Sequence, residues 1–265
     1  MRIFALACWA VASMVTITAS AFAIEPSRGG RRRSSSFSMS HSREDIDGDD
    51  ILAGLEPHYT SRSTLDWLRK MDDSYRLERG ESLLDAITRE GYEGFAASVV
   101  GIEGGGEDDP SLLRLASACA LSDLPIASHD FLRDPTGEAT FNYGNVAFLR
   151  GFGYRWGEFV ITPSRECVAT DEDANERQML LDAVRSRGIT EDDGGRYDNL
   201  VRVRKDGRRI LLRDVNLWNV YDDVRLGGAK DGDDRASAVT RAGIERGEIV
   251  PIGQAVWIRT VEYLD

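Results

Sequence analysis

The chain has 265 residues, with 45 acidic and 33 basic side chains and a formal net charge of −12. A content of 42% hydrophobic and 29% charged residues is typical of a globular protein and excludes wholesale disorder. The acidic balance argues against binding to nucleic acid or to a membrane surface, because phosphate contact needs clustered Lys and Arg. Three cysteines and three histidines without zinc spacing argue against a disulfide scaffold and a metal site.

The N-terminus predicts a signal peptide over residues 1–21. A positive start at Arg2 precedes an uncharged, largely apolar stretch from Ile3 to Ala19, and Ala19-Ser20-Ala21 fits the A-x-A pattern of a cleavage site. The stretch is slightly short for a membrane span, which favours a signal peptide over a transmembrane helix. We therefore expect no membrane span after cleavage.

A transit-peptide-like segment is predicted over residues 22–43. From Pro26 to Arg43 no acidic residue occurs, and arginine and serine dominate, which is the composition of transit peptides. Together with the signal peptide, the segment resembles the bipartite presequence of algae with complex plastids, in which an aromatic residue follows the cut, as Phe22 does here. The resemblance implies import into a plastid. A secreted or endomembrane protein with a basic linker is the alternative.

The region before residue 111 is predicted to be a helical extension of the main domain. Its first helix is marked by an apolar stripe at helical spacing, formed by Leu65, Leu68, Met71 and Tyr75. The first predicted segment is a disordered acidic lead over 44–61. An extension and linker over 62–110 follows, with one helix from a cap at Ser63 or Thr64 and another over Glu81–Arg89. The linker contains a flexible glycine-rich stretch over Gly101–Asp109. Pro110 then opens another helix.

The hydrophobic period changes to that of strands from Leu124 onward. The elements predicted there are, in chain order, strands over Leu124–His129 and Ala139–Tyr143, short helices over Val146–Val160, a helix from a Thr170 cap to Arg187, strands over Tyr197–Lys205 and Arg208–Tyr221, an acidic insertion over 222–246, and a last strand over Ile249–Tyr263. Asp206-Gly207 lies between two strands as a hairpin turn. This order predicts an α+β fold, an antiparallel sheet with helices packed on one face.

Seven short words then resemble the MEKHLA domain, a PAS-like family, and occur in the family's order. The words are Ser128-His129-Asp130, Asp134-Pro135, Phe141-Asn142-Tyr143-Gly144-Asn145, Pro163-Ser164-Arg165, Gly207-Arg208-Arg209, Val215 with Trp218-Asn219, and Gly253-Gln254-Ala255. The resemblance covers about residues 62–260, departs from the family at Ala255-Val256, and places the domain over 111–263. It implies a PAS-like five-stranded antiparallel sheet preceded by N-terminal helices.

The resemblance implies a sensory or small-molecule-binding module rather than an enzyme, since PAS domains sense light, oxygen or redox state and the family brings no defined catalytic residues. The chain resembles the stand-alone algal or bacterial type. Nothing in it resembles the homeodomain or zipper of the plant transcription factors that end in this domain. That role therefore does not carry over.

The candidate ligand-binding residues are polar or aromatic and lie in the matched words, where a PAS cavity is expected. They are His129, Asn142, Tyr143, Asn145, Arg165, Trp218, Asn219 and Gln254. Arg165 is suited to pair with an anionic group and Trp218 to stack on a planar ligand. An architectural interpretation stays open for the set, with Asn145 as a helix cap and Arg165 bridging to Asp130 or Glu166.

The cofactor stays unknown, but two classes are disfavoured. In PAS flavin photosensors a cysteine bonds the flavin, and Ser164 stands at that position here; Cys167 follows three residues later and is expected to point elsewhere. Arg202 falls where these photosensors have an asparagine. Haem needs an axial ligand, and His129, the only histidine in the core, lies on a strand. Both observations argue against covalent flavin and haem.

Three functional hypotheses follow from the sequence. The first is a PAS-like sensory or ligand-binding module. The second is a ligand-free interaction module that dimerises through the helices of 62–89, motivated by an apolar face that includes Trp67 and Met71. The third is a small plastid enzyme using His129 and Arg165, which lacks the support of a nucleophile elbow or a phosphate loop. The remaining Cys119 and Cys167 are expected to be small buried hydrophobes.

Overall fold

The computed structural model describes residues 57–90, 109–132, 138–168, 170–187, 196–222, 224 and 234–264. The predicted signal peptide and transit-peptide-like segment lie outside these residues, as do most of the acidic lead and of the 101–109 linker. The word Asp134-Pro135 also lies outside them. None of the described helices is long and apolar enough to cross a membrane.

The predicted helices and strands are present, with ends shifted by a few residues. The helices are α1 (Arg62–Arg79), α2 (Leu83–Glu90), α3 (Pro110–Leu121), α4 (Val146–Phe152), α5 (Trp156–Phe159), a 3₁₀ turn (Ser164–Cys167), α6 (Asp171–Arg187) and α7 (Asp234–Glu245). The strands are β1 (Ile126–Asp130), β2 (Thr140–Gly144), β3 (Arg196–Tyr197), β4 (Leu200–Val203), β5 (Arg209–Tyr221) and β6 (Pro251–Tyr263). Helix α7 lies in the segment that the sequence marked only as an acidic insertion.

Local side-chain chemistry explains where the helices begin. The cap of helix α1 is Ser61, two positions before the nearer of the two predicted caps, and its hydroxyl accepts a hydrogen bond from the Thr64 N–H at 3.3 Å. The Thr170 hydroxyl caps α6 as predicted and accepts from the Asp173 N–H at 3.1 Å. Pro110 occupies the first turn of α3, where its missing N–H costs no hydrogen bond.

The strands form one antiparallel sheet in the order β2-β1-β6-β5-β3, and β4 also pairs with β5. Strands β3 and β4 occupy a single edge position beside β5, so the sheet has the five positions that were predicted. The interruption between them lies at Asn199, whose φ of 62° is left-handed. Gly207, with a φ of 82°, makes the tight turn between β4 and β5 that Asp206-Gly207 indicated.

Helices cover both faces of this sheet. Neighbouring residues on one strand point to opposite faces, and Ile126 and Ala127 accordingly belong to two different buried clusters, as do Trp257 and Ile258. We call the side covered by α1, α2 and α3 the N-terminal face, and the side covered by α4, α5 and α6 the α6 face. The predicted one-sided arrangement holds for α4, α5 and α6, whereas α1, α2 and α3 cover the other side.

The N-terminal face is a dense aromatic core. The α1 residues Leu68, Met71 and Tyr75 are at most 1% exposed. The Trp218 ring packs edge-on against Tyr75 with ring centroids 5.0 Å apart, and its indole N–H donates to the Met71 carbonyl at 3.2 Å. The expectation that the α1 stripe leaves an apolar face uncovered is therefore wrong, because the sheet buries it.

The two remaining cysteines lie on opposite faces of the sheet. Cys119 belongs to the cluster of the N-terminal face and Cys167 to the cluster of the α6 face. Both are free and buried, as expected for small hydrophobes. Since the sheet lies between the two thiols, they do not form a disulfide pair in this fold.

Candidate functional site

Three of the matched words come together at the centre of the sheet. His129, Gln254 and Asn219 pair side by side across β1, β6 and β5. These three residues form what we call the amide row, and it points to the α6 face. The residues one position before or after them on each strand point to the N-terminal face. The words therefore meet in space although they are distant in sequence.

The amide row holds α6 against the sheet. The Gln254 side-chain amide donates to the Leu181 carbonyl at 3.0 Å and to the Asn219 side-chain oxygen at 3.2 Å. The Asn219 amide donates to the Val184 carbonyl at 2.7 Å. Both amides were candidate ligand contacts, and both are instead bonded to the main chain of this helix.

Close backbone packing accompanies this row at Gly253. A Cβ atom built there would lie 2.3 Å from the His129 carbonyl oxygen and 3.0 Å from the Trp67 ring. No side chain fits at such distances, which explains why glycine precedes Gln254 in the matched word. The sheet centre therefore depends on a glycine as well as on the polar residues beside it.

Three candidates point away from the α6 face. Trp218 is fully buried on the N-terminal face, so the expectation that it stacks on a ligand in a cavity behind the sheet is wrong. Tyr143 is buried on the same side against Trp156. The Asn142 side chain accepts from the Ser128 hydroxyl at 2.7 Å and is also buried. A bulge between β1 and β2 changes the alternation of β2 at this point.

Asn145 has the architectural role that was left open for it. Its side-chain oxygen accepts from the Phe148 N–H and from the Ile126 N–H, both at 2.9 Å, so it caps α4 and fixes the start of β1. Its amide donates to the carbonyls of Cys119, Ser122 and Leu124 at 2.8–3.2 Å. The helix-cap interpretation is confirmed.

Arg165 lies at the surface. Its side chain is 67% exposed, and its guanidinium pairs with the Glu138 carboxylate at 2.8 Å. The sequence suggested Asp130 or Glu166 as the partner of Arg165, but this ion pair is with Glu138. Arg165 therefore lies outside the cavity described next.

A cavity of about 90 Å³ lies between the α6 face of the sheet and the helices that cover it. Its walls are mostly apolar, and among the eight candidate residues only His129 lines it. The residues that line it are His129, Phe141, Phe148, Phe152, Ser164, Cys167, Arg177, Leu180, Leu181, Leu200, Arg202, Leu212, Val215, Leu217, Val256 and Ile258. The volume is small beside the roughly 300–1,000 Å³ of drug-sized pockets.

A buried arginine, Arg202, and a half-buried one, Arg177, line this cavity, and the sequence patterns did not single out either as a ligand contact. Burial lowers the pKa of Arg177 to about 10, with the nearby charge of Arg202 acting in the same direction. Burial also lowers the pKa of Arg202. Arg202 donates to the Val201 carbonyl at 2.7 Å and Arg177 to the Ser164 hydroxyl. Within the described parts of the chain, neither is within ion-pair distance of a carboxylate.

The sequence did contain a signal for both arginines. Arg202 follows Leu200 by two positions on an alternating strand, so the same alternation that buries Leu200 turns Arg202 inward. Arg177 lies on the helical face of α6 that also carries Leu181 and Val184. A cation on the inward side of an amphipathic pattern marks a site that needs an anion or a hydrogen-bonding partner.

His129 lines the cavity next to the Gln254 side chain. The His129 Nε2 and the Gln254 side-chain oxygen are both buried, and the interaction between these two side chains opposes part of the fall in the pKa of His129. Burial and the charge of Arg177 together lower the pKa of His129 to about 3. The imidazole is therefore neutral at physiological pH.

The expectation that Cys167 points away from Ser164 is wrong. Both side chains line the cavity, because a 3₁₀ turn has three residues per turn and places positions i and i+3 on the same side. Burial raises the pKa of Cys167 to about 12, so the thiol stays protonated. A flavin ring still does not fit, since the cavity is small and the Asn219 and Gln254 amides are bonded to α6.

A surface cleft of about 350 Å³ adjoins the cavity. The two share Ser164, Arg177 and Leu181 as lining residues, so the contact between Arg177 and Ser164 lies at their boundary. Arg165 and Arg185 line the outer part of the cleft. The cleft is a route by which a small molecule can reach the cavity from solvent.

The sheet order and the helices on its α6 face define an α+β domain of PAS-like architecture. The model of the MEKHLA domain family matches residues 113–229 of the chain. The matched range contains the words from Ser128 to Asn219, while Gly253-Gln254-Ala255 lies beyond it. No curated protein matches the chain.

Solved structures of light–oxygen–voltage (LOV) proteins are similar to this chain at low identity. RsLOV D109G is 19% identical with a TM-score of 0.33, and the match covers 55% of this chain and 63% of that chain. The Rhodobacter sphaeroides LOV protein is 19% identical with a TM-score of 0.30, covering 53% and 59%. The light-state dimer of the fungal photoreceptor Vivid is 13% identical with a TM-score of 0.32, covering 63% and 93%. The chain therefore spans less than two thirds of the two bacterial proteins.

Proposed function

We propose that this chain is a PAS-like sensory module that binds a small molecule in the cavity on the α6 face and has no catalytic activity of its own. The observation that carries the proposal is the cavity itself, which lies behind the sheet and adjoins a surface cleft. Ligand binding is the input in this proposal. A protein partner, which includes a second copy of the chain, receives the output.

The state of the reactive groups supports binding over catalysis. The Cys167 thiol is protonated because burial raises its pKa to about 12, and His129 is a weak base because burial lowers its pKa to about 3. The enzyme hypothesis pairs His129 with Arg165, but His129 lines the cavity whereas Arg165 is exposed outside it. The pair therefore lacks the proximity that joint catalysis requires.

Helix α6 is the element that can respond to a ligand. It forms one wall of the cavity, and its carbonyls at Leu181 and Val184 are held by the Gln254 and Asn219 amides. A molecule that occupies the cavity pushes against Leu180 and Leu181 on this helix. Occupancy is thereby coupled to the hydrogen bonds that dock α6 on the sheet.

Native mass spectrometry of the freshly isolated protein, with an absorption spectrum, tests this proposal. A fixed added mass is expected in the wild type and is expected to be lost in Leu180→Trp, which fills the cavity. Met179→Trp is the matched control, because Met179 is 73% exposed on the same helix. An added mass that persists in Leu180→Trp would contradict binding in this cavity.

We also propose that the protein acts in the plastid, on the strength of the signal peptide and transit-peptide-like segment expected over residues 1–43. A fluorescent protein fused behind residues 1–45 is expected to enter the plastid of an alga with complex plastids. A matched fusion in which Phe22 is replaced by Ala is expected to stay outside it. Delivery of the first fusion to the medium or the vacuole would overturn this part of the proposal.

A further inference from the structure

The positive charge on the α6 face is not neutralised within the described parts of the chain. Arg202 is only 8% exposed, and the Arg177 guanidinium points at the boundary between cavity and cleft. Each donates a hydrogen bond to a neutral oxygen, from Val201 and Ser164 respectively, and neither forms an ion pair. Burying a cation without a counter-charge is strongly unfavourable.

The acidic groups nearby offset only part of this charge. Glu176 and Asp173, on α6, act on Arg202 from beyond ion-pair distance. Glu138 acts on Arg177, but its carboxylate pairs with Arg165 at 2.8 Å. The Cys167 thiol is kept neutral by burial. Since these carboxylates offset part of the positive charge of the two arginines, a single negative charge from outside is enough to balance the site.

The rest of the cavity is suited to an apolar body. Phe148, Phe152, Leu212 and Ile258 are all buried in its walls. His129 adds a neutral polar group to these apolar walls. A volume of about 90 Å³ suits one ring or a short chain, whereas a cofactor of several rings requires far more space.

We propose that the ligand is a small carboxylic acid with an apolar body, bound as its anion, whose carboxylate bridges Arg177 and Arg202 while the body lies among the phenylalanines. This assignment rests on the proposed function and deepens it. A guanidinium offers two parallel N–H donors to a carboxylate, which makes arginine the residue suited to this geometry. The cleft beside Arg177 gives the anion its access to the cavity.

Titration calorimetry of the full-length chain in low-chloride, phosphate-free buffer tests the charge requirement. Benzoate and hexanoate are the probes, and benzyl alcohol is the neutral partner of similar size. Benzoate is expected to bind at least tenfold more tightly than benzyl alcohol. Arg177→Met and Arg202→Met are each expected to weaken benzoate binding at least tenfold. Arg208→Met replaces an exposed arginine that pairs with Asp206 and lines neither the cavity nor the cleft, and it is expected to change benzoate binding less than twofold.

The stability of the ligand-free variants separates a binding role from a structural one. An arginine kept for an anion is unpaired when the ligand is absent, so Arg202→Met is expected to raise the Tm of the ligand-free protein. A structural arginine would lower the Tm when removed. A lower Tm for Arg202→Met, together with unchanged benzoate binding, would overturn the proposal.

Binding of a carboxylate and binding of any ligand in the cavity are tested separately. If benzyl alcohol binds as tightly as benzoate and both Met variants bind normally, the carboxylate assignment is wrong while the cavity remains a ligand site. If no probe binds and native mass spectrometry shows bare polypeptide, the proposed function fails as well. If benzoate binds equally well to Leu180→Trp, it binds outside the cavity and the assignment is wrong.

Discussion

The two faces of this sheet are built from the same strands but have different physical characters. On the N-terminal face, Trp218, Trp257 and Tyr75 are at most 1% exposed and pack into a dense aromatic core. On the α6 face, the strands border a cavity that is lined by the buried Arg202 and the half-buried Arg177. The comparison shows that strand alternation lets one β-strand serve stability on one side and recognition on the other.

The difference is sharpest at β5, where adjacent side chains take opposite roles. Trp218 fixes α1 through its indole hydrogen bond to the Met71 carbonyl, and Asn219 holds α6 through its bond to the Val184 carbonyl. A helix packed on aromatic rings is costly to move, whereas a helix docked by amides over a cavity is easier to shift. We therefore expect stability to depend mainly on the first face and ligand response on the second.

The largest expected effect is the loss of Trp218. Trp218→Ala is expected to lower the free energy of unfolding by about 3–5 kcal/mol, since it removes a fully buried ring. Leu180→Ala, on the α6 face, is expected to cost only about 1 kcal/mol, because this half-buried side chain already borders empty space. Urea unfolding measures the free energy of unfolding of both variants. Equal decreases in the two variants would contradict the proposed difference between the faces.

The next effect concerns Asn145, which ties the two faces together. Asn145→Ala is expected to lower the free energy of unfolding by roughly 3 kcal/mol, because two N–H groups and three carbonyls lose their partner. Asn145→Asp keeps the acceptor but faces those carbonyls with a carboxylate. Thermal and urea unfolding should find it at least as destabilised as the alanine variant, and a near-neutral Asp variant would show that capping alone matters.

The buried carboxyl of Glu78, at the end of α1, contrasts with the arginines of the cavity on the α6 face. Burial raises the pKa of Glu78 from an ordinary 4.5 to about 8. Below pH 4.5 the carboxyl is protonated in both states, and between pH 4.5 and 8 the unfolded state loses its proton first, so this group makes the protein less stable as pH rises. Glu78→Gln is expected to remove this loss and to stabilise the protein by roughly 2 kcal/mol at pH 8.

Urea unfolding at pH 5 and pH 8 checks this prediction for both variants. Asp73, whose pKa burial raises to about 6, contributes in the same direction, but it is common to both proteins and cancels in their difference. The gap between Glu78→Gln and the wild type should widen from pH 5 to pH 8. A gap that stays constant with pH would show that Glu78 is not protonated in the folded state.

The smallest expected effect leaves stability unchanged and compares the two thiols. Cys167 lines the cavity that adjoins the cleft, whereas Cys119 lies in the core of the N-terminal face. Methyl methanethiosulfonate is therefore expected to modify Cys167 at least tenfold faster in the native protein, as followed by peptide mass mapping. Cys119→Ser and Cys167→Ser assign the signals. Faster modification of Cys119 would show that the N-terminal face, and not the α6 face, is the more accessible to a small reagent.

Much of the fold was predictable because its signals are local. The stripe Leu65, Leu68, Met71 and Tyr75 and the turn at Asp206-Gly207 each depend on residues a few positions apart. Helix α7 was missed because charged and glycine-rich neighbours obscure its short apolar pattern. The start of α1 was displaced because Ser61, Ser63 and Thr64 all have hydroxyls that can cap, and only the chain path selects among them.

The candidate site was harder to predict than the fold. The matched words named residues at the correct sheet positions, yet only His129 lines the cavity. The words themselves carry no information on which face each residue occupies, because a bulge between β1 and β2 changes the alternation. Arg177 and Arg202 lie outside the words and were passed over for that reason.

By itself the sequence determined the order and type of the main elements and the resemblance to the MEKHLA family, since periodicity, caps and turn residues act over short distances. Only the tertiary structure decided that Trp218 faces α1 while Asn219 faces α6, and that Arg177 and Arg202 share one cavity. The physical reason is that a cavity arises from the packing of a helix on a sheet. Its positive charge depends on Arg177 and Arg202, which come from distant segments and, within the described residues, have no carboxylate within ion-pair distance.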